Sequence, residues 1–234
     1  MGALSRVLRS LGSGPYRLRV LCYIREFLEF ASSSYAQEVH ANGYVDTLEG
    51  YCHSHFRRPL SSLVQLWRDV ADKAVFLHYD RSSLLNQDIV EDFFQRAGLT
   101  PPAPISSSYD ANPSISGNLL AFKLLVNQRG GHDIGLYNTF SDIARLDRRY
   151  RGKVFISDKL AQFLRAHDGG YNKQLLKLVG SFERRSFEDG NAFDPASWKS
   201  DLDRFVSHPG MASFKDRPEI AHASAEDVAE LMGA

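Results

Sequence analysis

Apolar positions along the chain switch between continuous runs and a helical period, and the switches mark out the elements. Residues 17–24, Arg-Leu-Arg-Val-Leu-Cys-Tyr-Ile, pass from alternation into an unbroken apolar run. That pattern suits a buried parallel strand entered from the surface. From Glu26 to about Gln37, Phe27, Leu28, Ala31 and Tyr35 fall at helical spacing. Glu26 and Glu29 sit where a helix dipole favours negative charge. Asn42-Gly43 breaks the chain, Asp46 stands ready to cap a second helix through His53, and Pro59 punctuates. Ser61 or Ser62 opens a third helix with Leu63, Leu66, Trp67 and Val70 on one face. A second strand, Ala-Val-Phe-Leu-His-Tyr, covers 74–79. After Asp80, a long helix carries Leu84, Leu85, Ile89, Val90, Phe93, Phe94 and Ala97 on one side, and Gly98 ends it.

Residues 100–116 change character, with four prolines, five serines and no apolar period. A connection of that length is usually functional or mobile. Beyond it the pattern is helical. Ser116 caps a segment through Asn127, residues 136–150 form another, and Ser157 caps a third holding Leu160, Phe163 and Leu164. A helix over 171–179 follows Gly169-Gly170, and Asp194-Pro195 places a cap before a proline at the first helical position. Ser224 and Asp227 resemble a capping box with Asp in place of Glu. Strands that alternate with helices imply a parallel sheet covered by helices, so the expected class is α/β with a mainly helical C-terminal part.

Composition narrows the classes. Hydrophobic content of 43% and charged content of 24% are those of a globular chain, which excludes disorder and coiled-coil or collagen-like architectures. Twenty-eight basic and twenty-eight acidic residues cancel, so no global field points to nucleic acid or an acidic membrane. No apolar run reaches the roughly 18–20 residues of a membrane span. Cys22 and Cys52 form neither a disulfide framework nor a zinc spacing, which favours a reducing, cytoplasmic setting. The N-terminal 25 residues hold Arg6, Arg9, Arg17, Arg19 and Arg25 and no acid, as a mitochondrial presequence would. The same residues also read as a short helix over 4–11, a turn over 12–15 and then the first strand.

Candidate chemistry is sparse. Neither G-x-x-x-x-G-K-[ST] nor G-x-G-x-x-G occurs, and Gly12-Ser-Gly14 precedes the first strand rather than leaving it. Either the fold is not nucleotide-binding, or the chain lacks the segment that carries the loop. His53 and His55 are close in sequence but point apart on a helix, with no third ligand at metal spacing. His78 reads as a core or edge histidine, and His132-Asp133 lies in a glycine turn without an evident partner. Cys22, inside an apolar strand, reads as an inert thiol. The basic run 148–153 reads as a solvated helix end, where cations complement the dipole. One constellation stands apart. Arg25 follows the first strand at its carboxyl end, where open α/β sheets bind ligands, and the next helix carries Ser32-Ser-Ser34, poor helix formers, about two turns in. An arginine, a helix N-terminus and a hydroxyl together suit a phosphate. The competing reading has Arg25 cap a neighbouring helix.

Val20-Leu-Cys-Tyr-Ile-Arg25, followed by Ser33 and Tyr35, resembles the segment of sulfotransferases that binds the 3′-phosphate of the sulfate donor PAPS. Tyr51, the Leu63–Trp67 segment, Val75 to Asp80, Ile89 to Phe94 and Ala97-Gly-Leu99 follow in the order seen in bacterial sulfotransferase-like proteins. Asn112-x-Ser114-x-Ser116 before a helix ending at Asn127 is also similar to that group. The resemblance covers 18–128, within a single domain of 1–234 whose residues 129–234 form a helical extension.

It implies a P-loop-kinase-like parallel sheet, incomplete at the N-terminus, with Arg25 and Ser33 as donor-binding residues and no metal. It also implies sulfuryl transfer from PAPS to a hydroxyl acceptor such as a carbohydrate. Family members open with a loop that wraps the 5′-phosphosulfate, and this sequence begins downstream of that region. Slow or absent transfer is therefore expected, as is self-association through an exposed sheet edge. The alternative is a non-catalytic nucleotide-binding or interaction protein that retains part of the fold.

Overall fold

The computed structural model describes Val7, Ser10 and residues 17–56, 60–100, 113–130, 135–182 and 190–233. Most of 4–15, Pro59, residues 101–112 and His132-Asp133 lie outside the described residues. In chain order the elements are β1 (Arg19–Ile24), α1 (Phe27–Asn42), α2 (Leu48–Ser54), α3 (Leu60–Val70), β2 (Lys73–His78), α4 (Ile89–Ala97), α5 (Gly117–Leu125), α6 (Leu136–Leu146), α7 (Asp158–Ala166), α8 (Tyr171–Val179), α9 (Trp198–Val206), α10 (Pro218–Ala221) and α11 (Ala225–Met232). The described residues are mixed α/β and mostly helical, with a two-stranded parallel sheet. No helix among the described residues is long and apolar enough to cross a membrane. The chain divides into two compact units. One comprises Met1–Phe27, Arg58–Tyr109 and Arg165–Arg184; the other Leu28–Arg57, Asp110–Leu164 and Arg185–Ala234.

The first unit is organised by its strand pair. β1 and β2 run parallel from Arg19↔Lys73 to Ile24↔His78. Asp72 anchors the entry end by accepting the Leu18 N–H at 2.7 Å. Alternation puts Cys22, Ile24, Phe76 and His78 on one face and Leu21, Tyr23, Val75 and Leu77 on the other. Phe76 is buried and lies under the Arg68 guanidinium of α3, 5.9 Å from the ring centroid. On the opposite face the Tyr23 hydroxyl donates to Asp92 of α4 at 2.6 Å. That buried carboxylate also accepts from Arg96 at 2.6 Å and from the Leu85 N–H at 3.2 Å. Burial alone would raise the Asp92 pKa, but these three donors hold it below the usual carboxylate value.

The second unit is built around α5, whose nine residues are all buried. A helix apolar on every side belongs in a core. Phe122 packs on Phe140 and Phe205 with centroids 5.7 and 5.2 Å apart, and Tyr150 meets Phe205 at 5.0 Å. Buried polar side chains tie the loops to this core. Asn127 donates to the Val39 and Tyr44 carbonyls, and Asn191 to Ser116 Oγ and the Arg149 and Arg151 carbonyls.

Several local expectations shift. The long helix expected from Leu84 begins only at Ile89, because Asp88 captures the Val90 and Glu91 N–H groups at 2.7 and 3.1 Å. Asn86 and Gln87 just before it have φ of 51° and 59°, a left-handed backbone that cannot carry a helix through. Thr47, not Asp46, caps α2 by accepting the Gly50 N–H. Ser116 occupies the α5 cap position, but its hydroxyl serves Asn191 instead of the helix. The helix expected to reach residue 150 stops at Leu146, and Asp147 starts a separate 3-10 turn over Arg148–Tyr150. Asp194 caps a turn, with α9 starting at Trp198. The expected Ser224–Asp227 capping box is formed, and Ser157 accepts the Leu160 N–H of α7 at 3.3 Å.

Candidate functional site

The carboxyl end of the strand pair lies within the first unit. The Tyr79 N–H donates to the Ile24 carbonyl at 2.8 Å, so Arg25 and Tyr79 leave their strands side by side. Both continue the face that carries Tyr23 and Leu77. The Arg25 guanidinium lies over the Tyr79 ring, 4.6 Å from its centroid, as a cation on an aromatic face. The Arg25 carbonyl accepts the Tyr171 hydroxyl at 3.2 Å, which pins its backbone to α8. Among the described residues no carboxylate pairs with this guanidinium and no acceptor takes its N–H groups. A guanidinium braced over a ring with its donor fork uncommitted is suited to phosphate or carboxylate.

On the opposite face the next residues are committed to structure. Glu26 is buried and accepts the Asn172 amide at 2.7 Å. The Asn172 carbonyl oxygen in turn accepts the Phe27 N–H at 3.1 Å, so a side chain of α8 occupies the first donor of α1. His78 sits near this pair with its ring 5.2 Å from Phe182, and its buried Nε2 has no hydrogen-bond partner. Burial pushes its pKa down against the opposing pull of Asp80 and Glu26, which keeps the imidazole neutral near pH 7.

Ser33 belongs to the second unit. α1 runs unbroken through the three-serine stretch. Ser32 donates to the Val154 carbonyl at 3.4 Å, and Ser33 donates back to the Phe30 carbonyl at 3.3 Å, the intrahelical bond open to serine in mid-helix. Ser33 lines a polar pocket of about 30 Å³ together with Gln37 and His40 of α1 and Ser114. His40 is buried, stacks on Tyr137 with centroids 4.2 Å apart, and meets the Tyr137 carbonyl through Nε2 at 3.1 Å. Burial, aided by the Lys123 ammonium, lowers its pKa to about 4. Lys123 is itself fully buried, donates to Asn127 at 2.6 Å and lies 5.3 Å from the Phe140 centroid.

The remaining candidates resolve into structural roles. His53 stacks on Phe163 at 4.2 Å and lies 3.7 Å from Glu49, while Ser54 Oγ meets His55 Nδ1 at 2.6 Å. Among the described residues no group of three His, Cys, Asp or Glu side chains is placed to hold a metal ion. Burial raises the Cys22 thiol, as an inert cysteine requires. Two cations of the basic run, Arg149 and Lys153, are paired with carboxylates. Arg149 and Arg204 both reach Asp147 at 2.9 Å and drive its pKa down to about 2, and Lys153 pairs with Glu29. Asn172 gave no sequence signal, because its partner Glu26 is 146 residues away. Lys123 was visible as the one charge within an apolar helical run, and His40 was not singled out.

Compared with protein-family models, with curated proteins and with solved structures, the chain matches none.

Proposed function

We propose that the chain is a sulfotransferase-like, nucleotide-binding protein in which Arg25 holds the 3′-phosphate of PAPS, the donor of a sulfuryl group for a hydroxyl acceptor. One observation supports this most. Arg25 stands at the carboxyl end of a parallel strand pair with its guanidinium braced on Tyr79 and its donor fork uncommitted among the described residues. The finer assignment of a P-loop-kinase-like sheet belongs to the same proposal and rests on the ordered resemblance over 18–128. Sulfuryl transfer needs cationic or N–H donors around the sulfate and a base for the acceptor. The sequence contains no phosphate-loop motif to supply the first, which favours a second reading, a nucleotide-binding or interaction protein without turnover.

Calorimetry with adenosine 3′,5′-bisphosphate, and with adenosine 5′-monophosphate as the partner lacking the 3′ group, tests the reading. A charge-assisted hydrogen bond is worth about 1.5–3 kcal/mol, so Arg25→Ala should weaken bisphosphate binding at least tenfold. It should leave the monophosphate nearly unchanged. Equal affinity of wild type and Arg25→Ala for the bisphosphate would remove Arg25 from the site. Ser33, the other residue the resemblance names, is tested separately as Ser33→Ala.

A further inference from the structure

The polar pocket of the second unit contains a proton acceptor with a defined tautomer. A carbonyl oxygen carries no proton, so the contact between His40 Nε2 and the Tyr137 carbonyl requires Nε2 to be the N–H. Nδ1 is then the bare nitrogen of the neutral ring, on a side chain that lines the pocket. The other polar walls are the Ser114 hydroxyl and the Gln37 amide, which can donate, and the Ser33 hydroxyl, whose proton goes to the Phe30 carbonyl. No carboxylate lines the pocket among the described residues. Glu38, the nearest acid on α1, turns away and accepts from Asn42 at 2.8 Å. The titratable groups that face His40 are Lys123 from α5 and Tyr137 from α6. The pocket is therefore lined by donors and lies in the field of a buried ammonium.

We propose that this pocket binds a small tetrahedral oxyanion, and that His40 takes up one proton at Nδ1 when the anion enters. In the neutral ring Nδ1 presents a lone pair, which repels an anionic oxygen. Protonated, it adds an N–H to the donors of Gln37 and Ser114, and the anion offsets the nearby Lys123 charge that opposes protonation. A volume of about 30 Å³ admits one or two oxygens, with the rest of the anion in solvent. The inference goes beyond the nucleotide reading and does not need it. Ser33 enters both, but the anion here is inorganic.

Sulfate is the probe, since it does not titrate near neutral pH. Calorimetry at constant ionic strength, at pH 5, 6 and 7 and in buffers of different ionisation enthalpy, should show binding that weakens about tenfold per pH unit with one proton taken up per sulfate. His40→Gln should abolish the proton uptake and flatten the pH dependence. Ser114→Ala, at an exposed position, should weaken binding while keeping both. In NMR spectra of the wild type, the His40 ring resonance should titrate at higher pH with sulfate than with chloride. The proposal is overturned by pH-independent binding, by no binding at pH 5, or by unaltered proton uptake in His40→Gln. If His40→Gln fails to fold by circular dichroism, the proton count and the wild-type His40 resonance decide alone.

Discussion

His40 and His78 show how one residue type acquires opposite meanings from its partners. Both are held neutral, but His40 is buried and anchored through Nε2, while His78 is half-buried with an enclosed Nε2 that has no partner. His40 makes stability depend on pH with a definite sign. Its pKa is about 4 when folded against an ordinary 6.5, so the unfolded chain binds the extra proton between those values. Its contribution is fully present above about pH 6.5 and is lost as pH falls towards 4, and it amounts to up to about 3 kcal/mol. Urea unfolding at pH 7 and at pH 4.5 should therefore show a loss for wild type that shrinks in His40→Gln. Equal losses would mean that His40 is neutral for some other reason or titrates freely. At this scale the sequence was partly legible. Arg25 could be singled out because strand periodicity and a lone cation coincide at one residue. Its support on Tyr79 could not, because a parallel register is fixed by pairing across 54 positions and not by local pattern.

Among the elements, agreement with the sequence follows the range of the interactions that set each boundary. The expected helix over 171–179, the two strands within two residues of their ends, and the Ser224–Asp227 capping box were all readable. The helix and the capping box depend on side chains that meet neighbours a few positions away, and the strands were legible from their apolar runs although their pairing was not. α4 was misjudged because apolar spacing continues through Leu84 and Leu85 although the backbone does not. There the deciding contact is Asp88 with two N–H groups, and Asp88→Ala should cost about 1 kcal/mol in thermal or urea unfolding. A helix that truly began at Leu84 would make Asp88 an interior residue, and its replacement by alanine would then stabilise. Ser116 failed as a cap for the converse reason: a distant amide, Asn191, claims its hydroxyl.

In the molecule as a whole, formal neutrality conceals a local arrangement in which Arg149, Lys153 and Arg204 meet carboxylates and Arg25, among the described residues, does not. Charge totals could not distinguish these cases, since only pairing geometry separates a spent cation from an available one. Burial is equally uneven. α5 is enclosed along its whole length, so its amides can exchange only when the second unit opens broadly. Hydrogen exchange read by mass spectrometry should place residues 119–125 in the slowest class of that unit. Rapid exchange there, with α9 still protected, would show that α5 is not its cooperative centre.

The way each unit is assembled from three separated stretches also governs the order in which the protein can fold as it is made. The chain passes from one unit to the other at residues 27/28, 57/58, 109/110, 164/165 and 184/185. β1, β2 and α3 leave the ribosome long before α8, which brings Asn172 to Glu26 and to the first N–H of α1. Until then a carboxylate destined for burial lacks the Asn172 amide, and the strand pair lacks the last of the helices that pack on it. A nascent chain arrested before residue 165 should accordingly remain sensitive to protease across β1 and β2, and gain resistance there only once residue 184 has emerged.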